Sequence, residues 1–184
     1  MIKQDIIRFY EYVPKGFRWR VVALIGSPGL HAMISHRFTR WCSTRTPIVR
    51  YLLKPISAYL KHRMKAKWGI DIEDGARIGP GFVIFHYGGI FIGPGVVIGE
   101  NCQLSHNVTI GIGSPGSRHG FPTIGNNVAI NAGAQIYGKI RIGNNVRIGP
   151  NTVVNSDIPD DAIVHHLPMR VVIFPRKTPE KPKD

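Results

Sequence analysis

A six-residue repeat of branched aliphatic residues constrains the fold more than any other feature of this sequence. One long register runs through Ile124, Ile130, Ile136, Ile142, Ile148 and Val154. Earlier registers run through Ile72, Ile78, Ile84 and Ile90, and then through Ile92, Ile98, Leu104 and Ile110. An α-helix repeats near 3.6 residues and an amphipathic strand at 2, so neither fits as a continuous element. The repeat therefore predicts short strands joined by tight turns, with each hexad forming one side of a triangular coil.

Stacked coils would bury a continuous aliphatic column that no single coil could bury alone. These anchors, at three sides per coil, predict about four coils. Gly and Asn recur between the anchors, where tight turns need a positive φ. Cys102 lies four residues after Ile98, at an inward position, and is predicted to be a core residue. Two interruptions break the repeat, a two-residue slip at Ile90–Ile92 and an insertion between Ile110 and Ile124.

The chain before Gly69 has helical rather than hexad spacing. Ser27 followed by Pro28 is typical of an N-cap and first helical position. A second helix should run from Ile48 to Met64, with a kink or break near Pro55. We therefore expect a basic helical region over 1–68 and a mainly β, left-handed parallel β-helix over 69–174. A loop at 112–123 should leave the coil, and residues 175–184 should form a disordered tail.

Net charge is +13, and nearly all of it lies at the N-terminus. Residues 1–68 hold 14 Lys and Arg but only two acidic residues, Asp5 and Glu11. Such a region suits anionic lipid, an acidic substrate, nucleic acid or simply a solvated helix surface. No basic and aromatic interleaving typical of nucleic-acid modules accompanies it, so we expect no nucleic-acid partner.

Seven short segments carry a family resemblance: Gly69–Ile72, Ala76–Gly79, Gly89–Gly93, Val108–Gly111, Arg118-His119, Ala132–Ala134 and Pro168–Arg170. They resemble the hexapeptide-repeat acyltransferases, and within them the serine acetyltransferase family. This resemblance covers somewhat over half the chain. It implies a left-handed coil, a homotrimer with active sites between subunits, and acetyl-CoA-dependent O-acetyl transfer.

His86 is the candidate general base. Acetyl transfer to a hydroxyl needs a base, and histidine titrates in the appropriate range. The His86 hexad is irregular and precedes the two-residue slip, and irregularity in a strict repeat favours a site. Asp71 lies 15 residues earlier, close to one coil, and could orient His86. The resemblance implies the same two roles. The alternative is a capped turn aspartate and a surface histidine.

Three further residues are candidates for the reaction or for substrate binding. His119 and Arg118 lie in the insertion that leaves the coil, and the resemblance places this pair in the acceptor and thioester pocket, His119 as a catalytic residue. Both could instead be solvated loop residues. His106 occupies the same hexad position as His86, three sides later, so the two should stack at one corner. A corner histidine without a catalytic task is the alternative.

The resemblance assigns Ala132, Gly133, Pro150 and Arg170 to coenzyme A, although any β-helix could use the first three in packing. Arg170 would neutralise a nucleotide phosphate. A zinc site made by His86, His106 and His119, as in γ-class carbonic anhydrases, is a weaker reading, because their spacing does not match that class. We therefore expect acetyl-CoA as the donor substrate and no metal.

The acceptor is predicted to be a sugar hydroxyl of a cell-envelope or secreted polysaccharide. Serine acetyltransferases have an aspartate immediately before the base, whereas this chain has Phe85, and the neutral aromatics Phe85 and Tyr87 suit sugar rings. Serine is the alternative acceptor, since Arg118 is retained. A non-catalytic basic docking module is the alternative of another class. The longest N-terminal apolar run, Val21–Ile25, is too short to span a bilayer, and two cysteines predict a reducing compartment. We expect a cytoplasmic protein, with possible peripheral contact with anionic membrane or glycan.

Overall fold

The computed structural model describes residues 1–114 and 118–165, in which four helices precede fourteen short strands. The helices are α1 (Ile2–Glu11), α2 (Phe17–Gly26), α3 (Pro28–Ser43) and α4 (Pro47–Trp68). The strands are β1 (Ile70–Ile72), β2 (Arg77–Ile78), β3 (Val83–Ile84), β4 (Ile90–Ile92), β5 (Val97–Ile98), β6 (Gln103–Leu104), β7 (Thr109–Gly111), β8 (Thr123–Ile124), β9 (Ala129–Ile130), β10 (Gln135–Tyr137), β11 (Arg141–Ile142), β12 (Arg147–Ile148), β13 (Val153–Val154) and β14 (Ile163–Val164).

Up to β13, each strand pairs in parallel with the strand three places along the chain, which gives three sheets and the predicted triangular coil. Sheet 1 has the order β1-β4-β7-β10-β13, sheet 2 the order β2-β5-β8-β11, and sheet 3 the order β3-β6-β9-β12-β14. The anchors stack in register, so that Ile72, Ile92, Ile110, Ile136 and Val154 form one buried column. The parallel β-helix is thereby confirmed, and its form is consistent with the left-handed type that the resemblance implies.

The coils number about five rather than the predicted four. The extra strand, β14, follows Val154, where the hexad spacing ends. Ile158 bridges to Ile142, which lies only 16 positions earlier, so the last coil is two residues shorter than three hexads. The strict six-residue period therefore did not predict this coil.

Asparagines occupy the left-handed turn positions, as the turn chemistry predicts. Positive φ angles near 55° occur at Asn101, Asn107, Asn127, Asn145 and Asn151. Two of these side chains stack, with Asn127 Nδ2 donating to Asn145 Oδ1 at 3.0 Å. Cys102 is fully buried, in agreement with its predicted core position.

Ser27 caps α3 as predicted, with Leu30 N donating to its Oγ at 3.3 Å. The second predicted helix is not broken at Pro55, because α4 runs as one helix through this residue. Proline removes one helical hydrogen bond and frees the carbonyl four residues earlier, at Tyr51. Both Pro55 and Tyr51 are exposed, so water can satisfy that carbonyl. No helix in the described part of the chain is long and apolar enough to cross a bilayer.

A buried ion pair docks the helical region onto the first coil. Arg37 Nε donates to Asp5 Oδ2 at 2.9 Å, and both side chains are almost fully buried. Arg37 Nη2 also donates to the carbonyl of Gly79 at 2.6 Å, while Asp5 Oδ1 accepts from Phe82 N at 3.0 Å. One charge pair thus ties α1 and α3 to the β-helix and satisfies main-chain groups at its end.

Candidate active site at one corner of the β-helix

The turns between sheet 3 and sheet 1 form one corner that collects most of the predicted site residues. Main-chain hydrogen bonds connect its levels: Asn107 N donates to Gly88 O at 2.8 Å, Gly133 N to His106 O at 3.1 Å, and Asn151 N to Ala132 O at 2.9 Å. His86, His106, Ala132, Gly133 and Pro150 therefore lie in one column, hereafter the active-site corner.

The two histidines stack at this corner, as their hexad spacing predicts. The His86 and His106 rings are 5.6 Å apart between centroids and meet edge to face at 82°. His86 is exposed, whereas His106 is half-buried. Nδ1 of His106 is buried and has no hydrogen-bond partner among the described residues. An exposed imidazole with a second imidazole beside it can accept a proton from a bound hydroxyl.

Asp71 lies in β1, beside Phe91 of β4, and is not hydrogen-bonded to His86. Gly69, two residues earlier, has a φ of +61°, and a Cβ there would lie 3.2 Å from Gly88 Cα. Only glycine therefore fits where β1 begins beside the turn. Asp71 Oδ2 instead pairs with Lys65 Nζ at 2.7 Å. Its Oδ1 is buried and has no partner among the described residues, so one carboxylate oxygen is still available.

Lys65 is a site residue that the sequence did not suggest. It belongs to the last turn of α4, where basic side chains are common because they stabilise the helix dipole. Nothing in its spacing indicates that the helix directs this cation at Asp71.

A cavity of about 700 Å³ opens beside the corner and is walled by the helical region. Phe85, His86, Tyr87 and His106 line its β-helix side. Phe9 of α1, together with Val22, Ala23 and Gly26 of α2, lines the other side. Its volume suits a small-molecule ligand, and the helical region forms one of its walls. These helix residues were not identified from the sequence, because helical periodicity does not show what a helix faces.

Aromatic packing fixes the two residues that flank His86. The Phe85 ring meets Tyr12 edge to face with centroids 4.7 Å apart, and Phe85 is half-buried. Tyr87 contacts Trp68 in the same manner at 5.0 Å but is 55% exposed. Phe85 therefore packs against the helical region, and Tyr87 offers the more accessible ring.

Arg118 and His119 lie at the other end of sheet 1. The loop leaves after β7 and is held by Gly113 N donating to Gly120 O at 3.1 Å and Lys139 N donating to Arg118 O at 2.9 Å. Both side chains are exposed. Because the active-site corner precedes these strands and the loop follows them, a single chain does not bring His119 to His86. The three histidines considered for zinc therefore do not converge within one chain, and the described residues contain no group of three potential ligands.

The predicted coenzyme A positions lie at the same corner. Ala132 and Gly133 are half-buried, and Pro150 is exposed one coil above. Gly133 has a φ of +75°, and a Cβ there would lie 2.0 Å from Asn151 Oδ1. The corner therefore has no room for a side chain at this point. Arg170 lies outside the described residues. Burial raises the pKa of the Cys102 thiol, which agrees with a core role rather than a nucleophilic one.

Comparisons with known proteins agree with this architecture. Residues 121–156 match the family described as bacterial transferase hexapeptide (six repeats). The serine acetyltransferase of Helicobacter pylori is 38% identical over 144 residues, which cover 77% of this chain and 78% of that protein. The chain spans only 59% and 53% of the length of two longer curated relatives.

Two solved structures show the same fold. The Neisseria gonorrhoeae serine acetyltransferase in complex with serine is 34% identical, with a TM-score of 0.73, and the match covers 92% of this chain and 67% of that one. The Brucella abortus serine acetyltransferase in complex with coenzyme A is 29% identical, with a TM-score of 0.73, and the match covers 93% and 66%. On these grounds the chain belongs to the serine acetyltransferase family of hexapeptide-repeat transferases.

Proposed function

We propose that this chain is an acetyl-CoA-dependent O-acetyltransferase in which His86 is the general base. The observation that carries the proposal is the single corner that stacks His86 and His106 on Ala132, Gly133 and Pro150 in a member of this family. His86 would remove the acceptor's hydroxyl proton while the hydroxyl oxygen attacks the thioester carbonyl. The carbon–sulfur bond then breaks, and the thiolate of coenzyme A leaves and is protonated.

Asp71 would orient His86 through its unpartnered Oδ1. A carboxylate that accepts a hydrogen bond from the distal ring nitrogen fixes the tautomer and stabilises the imidazolium. Lys65 is 63% exposed at its side chain, so its pairing with Oδ2 is solvent-screened and leaves Oδ1 free for this task.

Coenzyme A would lie along the corner at Ala132, Gly133 and Pro150. The small residues Ala132 and Gly133 support this placement, since they leave space at the corner for a pantetheine arm. The coenzyme A complex of the Brucella abortus relative supports the same donor. Arg170 remains a proposed phosphate contact.

Serine is the acceptor that the relatives favour, in preference to the sugar hydroxyl predicted from sequence. The names of the curated relatives and the serine complex from Neisseria gonorrhoeae support it. Arg118 is the proposed partner of the serine carboxylate. Phe85 also packs against Tyr12, which makes it less suited to stacking on a sugar ring.

A sugar hydroxyl remains the second candidate acceptor because of one observation. Phe85 stands where the family resemblance expects an aspartate, and a neutral ring cannot pair with an ammonium group as a carboxylate does. The exposed Tyr87 ring beside it could contact an apolar sugar face.

Thiol release from acetyl-CoA, followed in parallel with L-serine and with acidic oligosaccharides, distinguishes the two acceptors. We expect turnover with serine, and Phe85→Asp should raise kcat/KM for serine about tenfold or more, since a hydrogen bond to a charged group contributes roughly 1.5–3 kcal/mol. Phe85→Leu is the matched control that removes the ring without adding charge. Turnover of oligosaccharide alone would overturn the serine assignment, and release with neither acceptor would overturn acetyl transfer.

The separation of His119 from His86 supports a homotrimer with active sites between subunits. In such an assembly the Arg118–His119 loop of one subunit would reach the active-site corner of its neighbour. Co-expression of His86→Ala and His119→Ala chains tests this, because mixed trimers would contain some sites with both histidines. We expect partial recovery of acetyl transfer, whereas a site within one chain would give none. A monomeric mass by light scattering, with activity intact, would also contradict the trimer.

A further inference from the structure

Helix α2 exposes an unusual amount of apolar surface. None of its ten residues, Phe17–Gly26, is buried, although seven of them are aromatic or aliphatic. Phe17 is 81% exposed, Ile25 72% and Trp19 57%. A helix that exposes this much apolar surface normally packs on a core or on lipid, because each Å² of apolar surface left in water costs about 25 cal/mol. Something therefore covers α2 in the functional state.

The charge around this helix indicates what covers it. No Asp or Glu occurs anywhere between Glu11 and Asp71, while this stretch holds 12 Lys and Arg. Arg18 and Arg20 lie on α2 itself, and Lys15 directly precedes it. Within the described residues, neither arginine has a carboxylate within ion-pair distance, and Arg20 lies over the Tyr10 ring at 5.3 Å. The surface that complements α2 must be anionic and must also accept Trp, Phe and Ile.

We propose that α2 is a peripheral membrane-contact helix that docks on an anionic lipid bilayer. At about 1.5 Å per residue it is about 15 Å long, too short to cross a hydrocarbon core of about 30 Å, so it lies in the interface. Phe17 and Trp19 enter the acyl boundary, as aromatic rings at interfaces do, while Arg18 and Arg20 reach the lipid phosphates. Nucleic acid would complement the charge but would leave the aliphatic residues in water.

The position of α2 gives this docking a consequence for the cavity. Val22 and Ala23 line the cavity that contains His86, so the same helix faces both the proposed bilayer and the active-site corner. Docking would hold the mouth of the cavity near the membrane surface. The docking itself depends on α2 alone and is independent of the acetyl-transfer proposal.

Co-sedimentation of the full chain with vesicles tests the proposal. We expect binding to vesicles of 70% phosphatidylcholine and 30% phosphatidylglycerol at 0.1 M salt, much weaker binding at 0.5 M salt, and little binding to pure phosphatidylcholine. Arg18→Gln combined with Arg20→Gln should lower the partition coefficient about 25-fold, from roughly 1 kcal/mol per cation near the surface. Trp19→Ser combined with Ile25→Ser should abolish binding, and neither residue lines the cavity.

Ile48→Ser combined with Tyr51→Ser on α4 is the matched control, because these side chains are 74% and 79% exposed in an equally basic segment. This control should bind vesicles like the wild type. If this control lost as much vesicle binding as Trp19→Ser combined with Ile25→Ser, the assignment to α2 would be overturned. Membrane docking would be overturned if the wild-type chain bound neither kind of vesicle. It would also be overturned if Trp19→Ser combined with Ile25→Ser changed the mass in light scattering without lipid. Either result would favour contact with a second copy of the chain.

Discussion

In the β-helix, one aliphatic side chain per strand points inward and stacks on its counterpart in the next coil, whereas the helical region buries charges and exposes aliphatic residues. Among the described residues, Asp5, His36 and Arg37 are the buried ionisable side chains apart from cysteine and all lie before Gly69. The described residues also include 22 exposed large apolar side chains, of which 17 lie before residue 60. Two regions of one chain thus follow opposite burial rules.

This difference shows that the two regions have different tasks. A solenoid gains stability coil by coil, so a repeated anchor is sufficient and its surface can remain polar. The helical region has no comparable core. It is held by the buried charge pair between Asp5 and Arg37, by more exposed pairs such as Lys65 with Asp71, and by its packing on the first coil. Its exposed apolar residues are then available to contact something outside the chain.

The largest expected effect tests whether chemistry resides on the β-helix alone. His86→Ala should lower kcat for acetyl transfer by about 10² to 10⁴, the usual cost of losing a general base, while the fold is retained because His86 is exposed. Thiol release from acetyl-CoA measures it. The control is His62→Ala, an exposed histidine on α4, which should transfer acetyl like the wild type. Near wild-type turnover by His86→Ala would mean that another residue is the general base.

The next effect sharpens the contrast in burial. Burial, and then the charges of Arg37 and Arg40, lower the pKa of His36 from 6.5 to about 4. The folded state therefore keeps His36 neutral, while the unfolded chain binds a proton below pH 6.5. The contribution of neutral His36 to the free energy of unfolding is complete above pH 6.5 and is lost as the pH falls towards 4. The loss is about 3 kcal/mol, at 1.36 kcal/mol per pKa unit.

Urea unfolding between pH 4 and 7 measures this dependence. His36→Gln should remove most of it, whereas His62→Gln, at an exposed position, should leave the wild-type curve unchanged. If His36→Gln and the wild type lose equal free energy of unfolding on acidification, the pH dependence lies in another group.

The contrast also explains what could be predicted from sequence. The strict period predicted the strands, the buried columns and the corner shared by His86 and His106, because each anchor is constrained by stacking on its neighbours. The extra coil was missed where Ile158 breaks the period. Neither α1 nor α2 was identified as a separate helix. The pairing of Lys65 with Asp71 was not predictable, since it depends on how α4 docks and not on a local pattern.

The smallest expected effect comes from removing one methylene group from an isoleucine in each region. Ile130 is 1% exposed and lies in the column of sheet 3 between Leu104 and Ile148. Ile130→Val should therefore lower the free energy of unfolding by about 1 kcal/mol, because a buried Ile→Val change typically costs 0.5–1.5 kcal/mol. Ile25→Val removes the same group from α2, where the side chain is 72% exposed and the loss should be below about 0.5 kcal/mol. Urea unfolding of both variants without lipid measures the difference. Equal losses would mean that α2 is covered in solution by the protein itself, and the exposure on which the contrast rests would then not exist.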